Sequence, residues 1–158
     1  MWATDAGPTA SGQVGVTTGG NADSLVAEGL ALHNEGDTAG AERLYRQALE
    51  IDPTNSVALY NLGVIAQFAG QLEEARDLYA QALDSQPDFE NALYNLALTL
   101  RDLGDIDGAM AKLEKVIEIN PKNAAALTNL GNLLIEHGDA GRGQELLDTA
   151  AQLGGTGG

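Results

Sequence analysis

The chain has 158 residues and a formal net charge of −15, from 23 acidic and 8 basic residues; 44% of it is hydrophobic but only 4% is aromatic. That charge argues against nucleic acid and anionic membrane surfaces as partners, since both are polyanions. With no cysteine, disulfides, thiolate metal sites and a cysteine nucleophile are excluded, and no run of about 18 apolar residues is present that would insert into a membrane.

Residues 1–21 are rich in Gly, Thr, Ala and Ser and carry one charged side chain, Asp5. This composition predicts a flexible N-terminal tail. The segment lacks the basic region and apolar core of a secretory signal. Its large apolar residues are Trp2, Val14 and Val16.

From residue 22 the chain repeats itself. Pro53, Pro87 and Pro121 recur at a constant step of 34, and Leu25, Leu59, Leu93 and Leu127 keep the same step. So do Asn61, Asn95 and Asn129. The first unit, 22–55, predicts helices over 23–35 and 39–51; the second, 56–89, over 57–69 and 73–85. The third, 90–123, predicts helices over 91–103 and 107–119; the fourth, 124–153, over 125–137 and 141–153. Within residues 91–103, Leu93, Leu96, Ala97 and Leu100 make one apolar helical face. Between the two helices of each unit stands Gly36, Gly70, Gly104 or Gly138, suited to a left-handed turn. Pro after each of the first three second helices stops it, and Asn55 and Asn123 are placed to cap the helix that follows. Residues 154–158, Gly-Gly-Thr-Gly-Gly, read as a flexible tail.

The 34-residue pattern resembles the tetratricopeptide repeat. Unit two matches its signature at Leu59, Leu62, Gly63, Ala75, Tyr79, Ala82 and Pro87. Unit one matches at Leu25, Gly29, Ala41, Tyr45, Ala48 and Pro53, but has Glu28 where Leu is usual. Unit three matches at Leu93, Leu96, Ala97, Ala109, Leu113, Val116 and Pro121. Unit four matches at Leu127, Leu130, Gly131, Leu147 and Ala150, with Gly143 in the Ala position and Gly155 in the Pro position. The resemblance implies an all-α, right-handed α-solenoid of four helix–turn–helix repeats. It also implies a concave groove lined by the first helix of each repeat, and a role in binding other proteins.

By the family's pattern the groove includes Tyr60, Asn61, Val64, Phe68, Tyr94, Asn95, Leu98, Asn129 and Asn132. A carboxamide both donates and accepts hydrogen bonds. The series Asn61, Asn95 and Asn129 is therefore similar to the Asn ladder of glycosyltransferase-linked arrays, which grips an extended peptide backbone. The family's carboxylate clamp needs Lys and Asn where this chain has Val26 and Leu30, so that clamp is not expected.

No catalytic, cofactor-binding or metal-ligating set is expected. His33 and His137 lie on the first and last repeats and should not meet. Acidic pairs such as Glu73 and Glu74 read as solvated helix starts. Repeat arrays need polar outer faces at their ends, yet Leu25 and Leu32 stand in the first helix, and Leu146, Leu147 and Leu153 in the last. Together with Trp2, Val14 and Val16 these predict self-association, through uncapped ends and the N-terminal tail, into a homo-oligomer or filament. The alternative is an adaptor that binds an extended peptide. The filament reading goes with an extracellular or cell-surface location, the adaptor reading with the cytoplasm.

Overall fold

A computed structural model describes residues 18–155. These form eight α-helices and no strand: α1 Thr18–Asn34, α2 Thr38–Ile51, α3 Ser56–Phe68, α4 Leu72–Ser85, α5 Glu90–Asp102, α6 Ile106–Ile119, α7 Ala124–Glu136 and α8 Ala140–Gly155. Each helix packs on its neighbours in sequence, and α3 also touches α5. The result is the expected all-α solenoid of four helical hairpins.

The inner helices begin one residue before their expected starts. The outer ones differ more. Helix α1 begins at Thr18, inside the segment read as tail, and α8 runs on to Gly155. The other second helices end just before Pro53, Pro87 and Pro121. Gly155 occupies that position in the last repeat and leaves the backbone N–H that proline removes.

The turn inside each hairpin is set by glycine. Gly36, Gly70, Gly104 and Gly138 have φ of 92°, 79°, 91° and 103°, a region costly to residues with a Cβ. After the turn, Asp37 accepts a bond from the Gly40 N–H and Asp105 from the Gly108 N–H, both at 2.9 Å. Asn55 caps α3 and Asn123 caps α7, through the Ala58 and Ala126 N–H groups at 3.0 and 2.9 Å. Gln71, in the Asp37 position, makes no such bond.

Helices pair closely because one of them lacks a side chain at the crossing. A Cβ on Gly29 would lie 2.6 Å from the Tyr45 ring, and one on Gly63 would lie 2.6 Å from the Tyr79 ring. Both rings are fully buried. The fourth repeat solves the same problem differently. There a Cβ on Gly131 would stand 2.9 Å from the Gly143 carbonyl oxygen, so α7 and α8 meet backbone to backbone. This explains Gly143 in the family's Ala position.

Neighbouring repeats join through a recurring triad on each first helix. Ala58, Leu62 and Ile65 pack on the α1–α2 core. Ala92 and Leu96 pack on the second repeat, with Thr99 buried beside them; the Thr99 hydroxyl donates to the Asn95 carbonyl at 2.8 Å and is thereby satisfied. Ala126, Leu130 and Leu133 pack on the third repeat. On α1 the same positions hold Ser24, Glu28 and Ala31, all exposed. From the other side, Leu49, Leu83 and Ile117 lean on the following repeat, and their counterpart on α8 is the exposed Ala151. These joining positions on both terminal helices are therefore small or polar.

The two buried tyrosines differ in one bond. The Tyr79 hydroxyl donates to Gln67 Oε1 at 2.7 Å. The equivalent pair in the first repeat is Tyr45 and His33, and there the Tyr45 hydroxyl and His33 Nδ1 are buried without a hydrogen-bond partner among the described residues. Tyr79→Phe should therefore cost about 1 kcal/mol, while Tyr45→Phe should be neutral or stabilising, as read by thermal melts followed by circular dichroism. Burial pushes both phenols up, Tyr79 further with Tyr60 beside it. A raised folded-state value favours the neutral phenol. Its stabilisation is complete below the unfolded value of about 10 and is lost as pH rises above it. Melting temperature should hold steady to about pH 9 and fall above about pH 10, less steeply in Tyr79→Phe.

Candidate functional site

By the family's pattern the first helices α1, α3, α5 and α7 form the candidate groove face, and two tyrosine–asparagine bonds link α3 to α5 and α5 to α7. The Asn95 side-chain amide donates to the Tyr60 hydroxyl at 3.3 Å, and Asn129 to the Tyr94 hydroxyl at 3.1 Å. Each link spans 35 residues, one repeat plus one position. Tyr60 is itself held by Phe89, ring centroids 4.9 Å apart, and by Tyr79 at 5.9 Å. Burial raises the Tyr60 phenol above its ordinary value, while the bond from Asn95 acts in the opposite direction.

The asparagine series divides on inspection. Asn129 is fully engaged: its amide donates to Tyr94 and to the Ala125 carbonyl at 2.9 Å, and its Oδ1 accepts from Arg101 at 3.2 Å. Asn61 donates to the Val57 carbonyl within its own helix at 2.8 Å. Asn95 lines an open cavity of about 570 Å³ with Tyr60, Val64, Gln67, Phe68, Leu72, Leu98 and Asp102. The tyrosine–asparagine links and the Arg101 bond were not anticipated from sequence, and neither was Leu72, which reaches the cavity from the start of α4. The 35-residue offset between Tyr60 and Asn95 was there to be read, but direct pairing of those side chains needs the helix spacing.

Apolar exposure concentrates on the first helices. Among the described residues five large apolar side chains are exposed: Leu30, Val57, Phe68, Ile119 and Ile135. All but Ile119 occupy groove positions of the repeat. Phe68 is 90% exposed. Val26, also at a groove position, is instead buried in the first core, while Asn132 is exposed on α7 and Leu98 half-buried on α5.

The residues expected for self-association are dispersed. Leu25 and Leu32 lean on the first core and Leu146 on the core of repeats three and four. Leu147 lies over Gly131, and Leu153 is half-buried near the end of α8. Trp2, Val14 and Val16 lie outside the described residues.

The sequence matches the tetratricopeptide repeat family over residues 32–99 and 100–154. The chain belongs to that family. No curated protein sequence matches it significantly. Among solved structures it is similar to the crystal structure of MamA, at 22% identity and a TM-score of 0.79, covering 86% of this chain and 80% of that one. A tetratricopeptide repeat protein from Parabacteroides merdae aligns at 25% identity and a TM-score of 0.75, over 85% of this chain and 54% of the other. The O-GlcNAc transferase of Thermobaculum terrenum aligns at 25% identity and a TM-score of 0.75, over 87% of this chain but only 27% of that protein. These likenesses establish the fold, and the fold is that of a protein–protein interaction scaffold.

The bonding pattern orders the asparagines. Asn129→Ala removes three hydrogen bonds and should lower stability by about 1 kcal/mol or more, whereas Asn61→Ala removes one exposed bond and should change it by less than about 0.5 kcal/mol. Urea titrations of the two variants check this ranking.

Proposed function

We propose that this chain is a non-enzymatic adaptor that captures an extended segment of another protein in the groove formed by α1, α3, α5 and α7. One observation carries the reading: four of the five large apolar side chains exposed among the described residues, Leu30, Val57, Phe68 and Ile135, lie on these first helices. A folded protein with a net charge of −15 has ample polar surface, and apolar groups gathered on one concave face mark an interaction site. Asn61 and Asn95 offer carboxamides along the same face to a peptide backbone. Tyr60, Tyr94, Val64 and Leu98 supply the apolar wall.

Self-association into an oligomer or filament is the leading expectation from the sequence. The end faces give it little support, because Ser24, Glu28, Ala31 and Ala151 stand where inner repeats carry their joining side chains. It then rests on residues 1–17, with Trp2 as anchor.

Site-specific photocrosslinking separates the two. A benzophenone amino acid replacing Phe68 should yield adducts with a different protein, while the same group replacing exposed Gln81 on α4 should yield few. Adducts of twice the chain's mass, lost when residues 1–17 are deleted, would place self-association first. Equal labelling from both positions would remove the groove reading. Sedimentation equilibrium should show a monomer across the micromolar range.

A further inference from the structure

We infer that the cavity between α3 and α5 is a subsite for a basic side chain, so that the groove's partner is an extended peptide carrying Arg or Lys beside a large apolar residue. This rests on the groove reading above and specifies its ligand. The cavity brings three chemistries together. Phe68 presents an almost fully exposed ring, Val64, Leu72 and Leu98 give aliphatic wall, and Asp102 contributes a carboxylate. A guanidinium suits that combination. Its plane stacks on an aromatic face, its methylenes lie on apolar surface, and its N–H groups meet a carboxylate. Gln67 is not a competing anchor, since its Oε1 already accepts from Tyr79.

Asp102 is paired with the adjacent Arg101 at 2.9 Å, both side chains being well exposed. Such a pair is weak and leaves the carboxylate able to take a second cation. Arg101 also donates to Asn129, so it keeps a partner if Asp102 turns toward a ligand.

Charge placement points the same way. Among the described residues Arg101 is the sole Lys or Arg on α1, α3, α5 and α7, against Asp23, Glu28, Glu90, Asp102 and Glu136. The other seven basic residues, Arg43, Arg46, Arg76, Lys112, Lys115, Lys122 and Arg142, lie on second helices or a turn. An anionic peptide would approach a strongly negative chain whose single groove cation is already paired. A cationic one is attracted, and the attraction should weaken with salt.

The test selects phage-displayed random dodecapeptides on the full chain. Enriched sequences are then synthesised with a fluorophore and measured by anisotropy. Selected peptides should share Arg or Lys next to a large apolar residue. Affinity should fall about tenfold in Asp102→Asn and in Phe68→Ser. Replacing the peptide's Arg by Glu should abolish binding to the wild type and restore it with Asp102→Lys. Phe68 and Asp102 are exposed, so these variants should keep the wild-type melt, which circular dichroism verifies. Peptides that need Phe68 but tolerate both Arg→Gln in the peptide and Asp102→Asn would overturn this inference and leave the groove reading standing. A selection giving no Phe68-dependent peptide would overturn both.

Discussion

Everything in this molecule depends on how closely the two helices of each repeat can approach. Gly29 and Gly63 remove the side chain at the crossing, and the Tyr45 and Tyr79 rings fill the space against the bare backbone. A buried tyrosine contributes a large apolar area, and an array with 4% aromatic content has few other bulky groups to close its cores. The third repeat reaches the same closure with Ala97 against Leu113. The fourth lets Gly131 and Gly143 bring the two backbones together. Three chemistries thus satisfy one geometric demand.

That spacing fixes the groove. With each hairpin set, consecutive first helices fall into register, and Tyr60 with Asn95, and Tyr94 with Asn129, come within hydrogen-bonding reach. These links are partly buried, so solvent screens them less than the exposed ion pairs Arg46–Glu42, Arg76–Asp77 and Lys115–Glu118. They join successive first helices directly, side chain to side chain.

The period of 34, the glycine turns and the proline stops were legible because each is a local backbone rule that one residue carries. The same holds for Asn55 and Asn123 as caps. The start of α1 was not legible: Thr18-Gly-Gly-Asn has poor helix propensity, and no local signal marks it. Glu28 was visible as an oddity, but its meaning needed the structure, which shows that Leu62, Leu96 and Leu130 at that position all pack on a preceding hairpin. The asparagines read as a peptide ladder because their spacing is equal. Their hydrogen bonds are unequal, since Arg101 stands beside Asn129 alone.

The terminal faces and the groove answer one another. Substituting Ser24, Glu28 and Ala31 on α1, and Ala151 on α8, takes apolar area away from the two faces that a further repeat would cover. In the same chain Leu30, Val57, Phe68 and Ile135 remain exposed on the first helices. A general excess of surface hydrophobicity would not respect that division. Large apolar side chains are absent from those four positions, where they would favour stacking of one array on another. Apolar exposure persists on the first helices α1, α3 and α7. The division matches the interaction-scaffold fold of the family, with apolar contact left open on the first helices.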